Sequence, residues 1–469
     1  MNDIPDAARF VAILRRALRE AALTVLAMAG AAAGAWWLDP VAESAVFGAV
    51  LALSLARSHL GADRRGWLEA LAMLPAVSLA CVGVGALLHA LPWLGAAVFV
   101  GVVAAAAWMR RFGVLAQRLG RLVLLPFATL LILPPIPHRA GPLAPLLSLA
   151  APLLTAVLAL ACVLLAQRLG LALGWLAAPP PAAAAPPEPV SGTLRPSAPT
   201  RLALQLATAL AVAFAVGYLA FPTHWRWLVL TAFLVNVGTL GRFDVARKSV
   251  LRVLGAAGGT ALAIGIGGHA GADRGTVAAL ILACVFAGVF LRVFGYGWWV
   301  LCVTLALALL QTLQPAPEPL LLWQRLAEIV IGAFIGVAAA SFVFPIRSTD
   351  ILRRRIGQAL AAMSEALDPR APERRPENVA GSMILVRQMQ PVFRAHRLAR
   401  RGQASRPADW IATLAACEAP LIALLERGES PAAVRQAIGA ARKALREPTA
   451  VGAALAALKD ALSPTTPVS

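Results

Sequence analysis

PTHWRWLVLTAFLVNVGTLGRFDVARKSVLRVLGAAGGT, residues 222–260, carries the features that decide how the rest of the chain reads. An aromatic entry (His224, Trp225, Trp227) leads into a short apolar run with Asn236 near its end. A cationic turn follows (Arg242, Arg247, Lys248, Arg252), and a glycine-rich run leaves it through Gly255, Gly258 and Gly259. Two apolar helices joined by a tight basic loop is the simplest physical description. Glycines along the second helix let a neighbouring backbone approach closely.

The pattern extends in both directions. Of the 469 residues 59% are hydrophobic and 14% charged, and the mean hydropathy is +0.75. A soluble fold cannot hide that much apolar surface, so the chain reads as a polytopic, all-α membrane protein. A membrane helix needs about 20 apolar residues. Runs of roughly that kind lie at 20–38, 42–58, 67–90, 92–109, 120–134 and 146–167. A second set lies at 202–221, 225–241, 250–269, 274–292, 297–313 and 323–345. The expectation is about 12 transmembrane helices.

The net charge of +19 raises the question of nucleic acid. The arginines are spaced between apolar runs and do not form one basic face, which is the pattern of the positive-inside rule and not of a nucleic-acid footprint. With the N-terminus inside, nineteen Lys and Arg residues fall on inner segments before the tail, and only Arg139, Arg226, Arg274 and Arg325 on outer ones. Both termini are therefore expected in the cytoplasm.

An offset near 182 relates the two sets of runs. Arg110-Arg111-Phe112-Gly113 aligns with Arg292-Val293-Phe294-Gly295, Pro40 with Pro222, and Arg65 with Arg247. Six spans is an even number, so the two repeats enter the membrane in the same orientation and are parallel. The expected domains are an amphipathic cytoplasmic lead-in (1–19), a first six-helix repeat (20–170) and a Pro/Ala-rich cytoplasmic linker (171–200). A second six-helix repeat (201–345) and a small cytoplasmic helical domain (346–469) complete the chain. Proline in the linker removes helix donors and favours extended backbone. The tail has 19 Lys and Arg against 11 Asp and Glu, with apolar residues at helical spacing.

Ionisable groups at membrane depth are costly and mark functional sites. Arg325 and Glu328 lie three residues apart near the start of the last span, on one helix face, and form a candidate coupling pair. Arg242, Lys248 and Arg252 line the inner mouth between two spans, where they would concentrate anions; Arg252 lies deepest along its helix. Thr231 and Asn236 offer hydrogen bonds, and Trp225 an aromatic face, along the same path. The five cysteines show no CxxC pairing and read as apolar packing residues. Neither metal nor cofactor is implied. GRFDVARKS lacks the spacing of a phosphate loop, and no protease, hydrolase or kinase signature occurs, so no enzyme is expected.

The run from His224 to Gly265, with Trp225, Thr231, Lys248, Arg252, Gly255 and Gly259, resembles the fusaric acid resistance protein-like family of integral membrane transporters. QRLAEIVIGAFIGVAAASFVFP, with Arg325, Gly332 and Pro345, is similar to that family's last span. The resemblance implies a bacterial inner-membrane exporter of aromatic carboxylic acids, at times working with a periplasmic adaptor protein. The expected partners are the lipid bilayer, a small organic anion, such an adaptor and a second copy of the chain. Two other readings stay open on the sequence: a gated anion channel, and a structural membrane protein whose tail binds a partner.

Overall fold

A computed structural model describes residues 6–40, 42–56, 64–112, 114–132, 144–176, 197–267, 274–312, 319–368, 376–393, 407–447 and 449–463. Most of the proline-rich linker lies outside the described residues, as do Arg57, Arg139 and Arg195.

Hydrocarbon offers no water to backbone amides, so a chain this apolar must satisfy them internally. Every regular element among the described residues is helical. On the twelve apolar runs lie α1 (Asp6–Leu38), α2 (Ala42–Ala56), α3 (Arg64–Ala90), α4 (Pro92–Trp108), α5 (Val114–Ile132) and α6 (Ala144–Ala172). They continue with α7 (Ala198–Ala220), α8 (Trp225–Asn236), α9 (Arg242–Gly267), α10 (Arg274–Leu291), α11 (Tyr296–Thr312) and α12 (Pro319–Phe342). Helix α1 runs unbroken from Asp6 through the rest of the segment expected as a lead-in.

Five of these helices contain spans long and apolar enough to cross a membrane: Phe10–Leu38, Leu68–Ala90, Ala150–Ala172, Ala198–Ala220 and Trp323–Phe342. Shorter apolar helices fill positions between them. The chain is a multi-pass membrane protein, but its helices are unequal. At 12 residues, α8 rises only about 18 Å, short of the roughly 30 Å hydrocarbon core. The apolar run continues to 241, yet the helix stops at Asn236. There the chain turns through Gly238 (φ 67°) and Gly241 (φ 99°), left-handed conformations that end a helix.

The structure divides into two compact units, residues 1–237 with 248–344, and residues 238–247 with 345–469. In the first, α1 packs with α2 and α6, and α7 with α8 and α12. Between the two sets, α1 lies against α10 and α4 against α7. Glycines set two of the closest seams. Ideal Cβ atoms at Gly332 and Gly336 of α12 would lie 2.4 Å from Leu228 O and 2.5 Å from Val235 Cγ2 of α8. Those at Gly255 and Gly259 of α9 would lie 2.8 Å from Gly297 O and 2.6 Å from Leu301 O of α11. In each seam both partners advance together, so α8 runs parallel to α12 and α9 to α11. These are GxxxG contacts, in which lost side-chain volume becomes backbone proximity. Gln205, near the start of α7, donates to Phe344 O at 3.1 Å, which sets α7 antiparallel to α12.

The second unit is a helical domain of α13 (Ser348–Ala366), α14 (Pro376–Arg387), α15 (Pro407–Ala416), α16 (Glu418–Glu426), α17 (Ala432–Ala444) and α18 (Val451–Leu462). Leu352, Leu360, Met363, Trp410, Ile438 and Leu455 lie in its core. Pro407–Glu426 is also apolar and long enough to cross a membrane. Here it is broken at Cys417 into α15 and α16, and Trp410, Leu414 and Leu421 are buried in the same core. That core uses the segment's apolarity.

Residues 238–247, counted by sequence with the second membrane repeat, fold instead with this domain. Leu240 and Phe243 pack against its core, and Arg242 N–H donates to Ile346 O at 3.1 Å. Asp244 accepts from Leu240 N–H at 3.0 Å. Burial draws the Arg355 guanidinium below its ordinary range, and Asp244 works in the opposite direction. A Cβ on Gly241 would meet Ser348 Oγ at 2.7 Å and Ile346 O at 2.9 Å, besides the positive φ. Gly241→Ala is expected to destabilise the domain by about 2 kcal/mol. Hydrogen exchange over 348–366 would then quicken by more than tenfold, and unchanged exchange would refute the docking of this loop.

Candidate functional site

The seam between α8 and α12 buries two charged side chains within one helical turn. Arg325 and Glu328 sit one turn apart on α12 and are 3% and 1% exposed. With Gly332 and Gly336 they form one stripe facing α8, because spacings of three and four residues return to the same helix face. The stripe is read out level by level. The Arg325 guanidinium lies over the Trp227 ring, 3.8 Å from its centroid, while Gly332 meets Leu228 and Thr231. One level further, Gly336 meets Val235 and Asn236. Glu328 falls between the Trp227 level and the Thr231 level.

Arg252 approaches from α9. It is 5% exposed, its Nε donates to Thr231 Oγ1 at a long 3.5 Å, and it also hydrogen-bonds the Tyr296 side chain of α11. The two arginines lie within electrostatic reach of one another, and Arg325 within reach of Glu328. Four helices thus contribute to one cluster. Glu328 is the acid within it, and neither of its buried carboxylate oxygens accepts a hydrogen bond. Burying a carboxylate without donors costs several kcal/mol, so nothing in the packing accounts for its presence. Stacking on tryptophan offsets about 2 kcal/mol of the separate cost of desolvating the Arg325 guanidinium. The result is a buried cationic cluster beside an aromatic face, with the groups that attract an anion and hold it by charge-assisted hydrogen bonds.

The sequence-predicted residues divide. Arg252, Thr231, Arg325 and Glu328 come together. Asn236 is buried on the same seam, but its Nδ2 donates to Ala232 O at 2.9 Å and so closes the end of α8. Trp225 packs edge-on against Tyr218, with ring centroids 5.1 Å apart, and against Gly217 of α7. That makes Trp225 a packing residue. Arg242 belongs to the second unit, where its guanidinium lies over the Phe243 ring at 5.1 Å. Lys248 is half-buried one turn before Arg252.

Two contributors are not singled out by the sequence. Trp227 sits in the aromatic entry to α8 and looks interfacial, although its spacing of four from Thr231 places both on one face. Tyr296, one of only two tyrosines in the chain, begins α11 in the segment that follows Arg292. Among the described residues no cluster of histidine, cysteine and carboxylates could hold a metal ion.

Neither the curated proteins nor the solved structures offer a match to this chain. Residues 206–339 match the model of the fusaric acid resistance protein-like family. Trp227, Thr231, Arg252, Tyr296, Arg325, Glu328 and both glycine seams all lie inside that segment. The segment that builds the buried cationic cluster is therefore similar to the fusaric acid resistance protein-like family.

Proposed function

We propose that the protein is a secondary transporter that exports small organic anions, with aromatic carboxylates as the best-fitting class. The observation that carries this reading is the pair of buried guanidiniums, Arg252 and Arg325, walled by Trp227 at membrane depth. A carboxylate suits the guanidinium fork, and an aromatic ring suits the indole face.

The architecture of this proposal is twelve membrane helices in two parallel six-helix repeats. Parallel seams between even-numbered α8 and α12 and between odd-numbered α9 and α11, with α7 antiparallel to α12, are what alternating crossings require. The reciprocal packing of α1 on α10 and α4 on α7 supports a twofold relation between halves. The basic inner loops support cytoplasmic termini in a bacterial inner membrane, with the domain at 346–469 in the cytoplasm. A periplasmic adaptor and self-association are compatible partners.

An inside-negative potential favours exit of a monoanion by about 2.3 kcal/mol per 100 mV, close to fifty-fold. Transport of the anion without a proton would therefore need no other driving force. The test is efflux of benzoate from vesicles carrying the purified protein, against vesicles without it, with the potential set by a potassium gradient. Protein-dependent efflux is expected. Unitary current steps in a planar bilayer would make the protein a gated channel instead, and no protein-dependent flux would remove both readings.

A further inference from the structure

Glu328 has a place in the cluster that anion capture alone does not explain. A site built only to hold an anion gains nothing from a buried carboxylate, which competes for the same guanidiniums and repels the substrate. Resting on the transporter reading above, we infer that Glu328 is a proton-controlled counterion, so that the cluster takes up an organic monoanion together with one proton.

The geometry carries this inference. Glu328 lies on the α12 stripe that faces α8, one turn from Arg325 and one turn from the Gly332 contact with Thr231. Both its oxygens are buried without a donor, so its charge is balanced only through the field of neighbouring cations. Those cations are the ones an incoming carboxylate needs. While ionised, Glu328 acts as the resident anion and leaves the cluster at one net positive charge. Protonation transfers H⁺ to one carboxylate oxygen, removes the competitor and raises the cluster to two positive charges. An anion then binds with full access to both guanidiniums. Loss of the proton restores the competitor and expels the anion.

The other titratable groups nearby do not take over this role. Arg325 on the same helix and Arg252 from α9 are the cations just described, and Lys248 lies one turn before Arg252. Tyr296 from α11 is engaged with Arg252. On the helices packed against α12, Arg226 of α8 and Tyr218 of α7 interact with each other. Arg201 of α7 precedes Gln205, which meets the far end of α12 at Ala340 and Phe344.

The sign of the linkage follows. Proton and anion promote each other's binding, so affinity for the anion rises as pH falls through the titration of Glu328. A one-proton antiporter needs the reverse, with each ligand excluding the other. The charge arrangement disfavours proton antiport through Glu328 and leaves the proton as a co-ligand.

The experiment is binding of benzoate and of benzenesulfonate, which stays ionised throughout, to the full-length protein in nanodiscs between pH 5 and pH 8. The wild type is expected to tighten by up to about tenfold per pH unit lowered within the titration window. It should take up close to one proton per anion bound, measured calorimetrically in buffers of different ionisation enthalpy. Glu328→Gln is expected to bind tightly with no pH slope. A flat wild-type profile, no proton uptake, or an unchanged slope in Glu328→Gln overturns the inference while leaving an anion site in place. No binding by the wild type at any pH overturns the transporter reading and the inference with it. Proton uptake is read on the wild type, so failure of the variant to fold does not shield the proposal.

Discussion

Arg252→Ala is expected to abolish organic-anion flux while the chain still inserts and folds. Arg252 reaches into the cluster from α9 and has Thr231 and Tyr296 as its polar partners. Both are neutral, so its removal strands no buried opposite charge directly bonded to it. The structural cost is therefore modest. The functional cost is large, because a bound carboxylate would lose a desolvated, charge-assisted partner worth about 3 kcal/mol or more. That is upward of a hundredfold in affinity, since about 1.4 kcal/mol is a factor of ten. Arg252→Lys keeps the charge but not the planar fork, and should retain a weakened, measurable flux. Flux from vesicles, normalised to the amount of inserted protein, checks both variants. Wild-type flux in Arg252→Ala would take this residue out of the transport path.

Gly332→Val is expected to damage the membrane unit itself. A Cβ at Gly332 would sit 2.4 Å from Leu228 O and 3.0 Å from Thr231 Cβ. The obstacle at 2.4 Å is backbone and cannot rotate away, so α8 and α12 must separate. Overpacking of this kind costs about 1–3 kcal/mol at an ordinary core position, and more where two backbones are in contact. Separation would also lift Trp227 from Arg325 and open the cluster to water. The expected result is a lower thermal midpoint in detergent, loss of monodispersity, and loss of flux. Gly101→Ala in α4 is the matched control, since a Cβ there meets nothing within 4 Å. Equal stability of the two variants would contradict the parallel α8–α12 seam.

The helices were legible because the bilayer imposes one solution on an apolar chain. Runs of suitable length had to become helices, and all twelve did, with α8 cut short where glycines at 238 and 241 take left-handed conformations. Arg252, Arg325 and Glu328 were legible for the same reason, since a charge inside an apolar run is too costly to be incidental. Trp227 was not. An interfacial tryptophan and one stacked on a buried arginine look alike until α12 is brought alongside α8, and the GxxxG spacing that brings it there does not name its partner. The basic turn at 242–248 was not legible in its fold, for a related reason. Its charge follows from topology, whereas its fold depends on Ile346 and Ser348, far along the chain, against which Gly241 packs.

The most direct test of the central claim is the rate of benzoate efflux from vesicles with the membrane potential clamped, compared across wild type, Arg252→Ala and Arg325→Ala. The cluster is predicted to carry the anion, so wild-type efflux should exceed the protein-free rate and both variants should fall to it. Efflux in both variants equal to the wild type at every potential would contradict it.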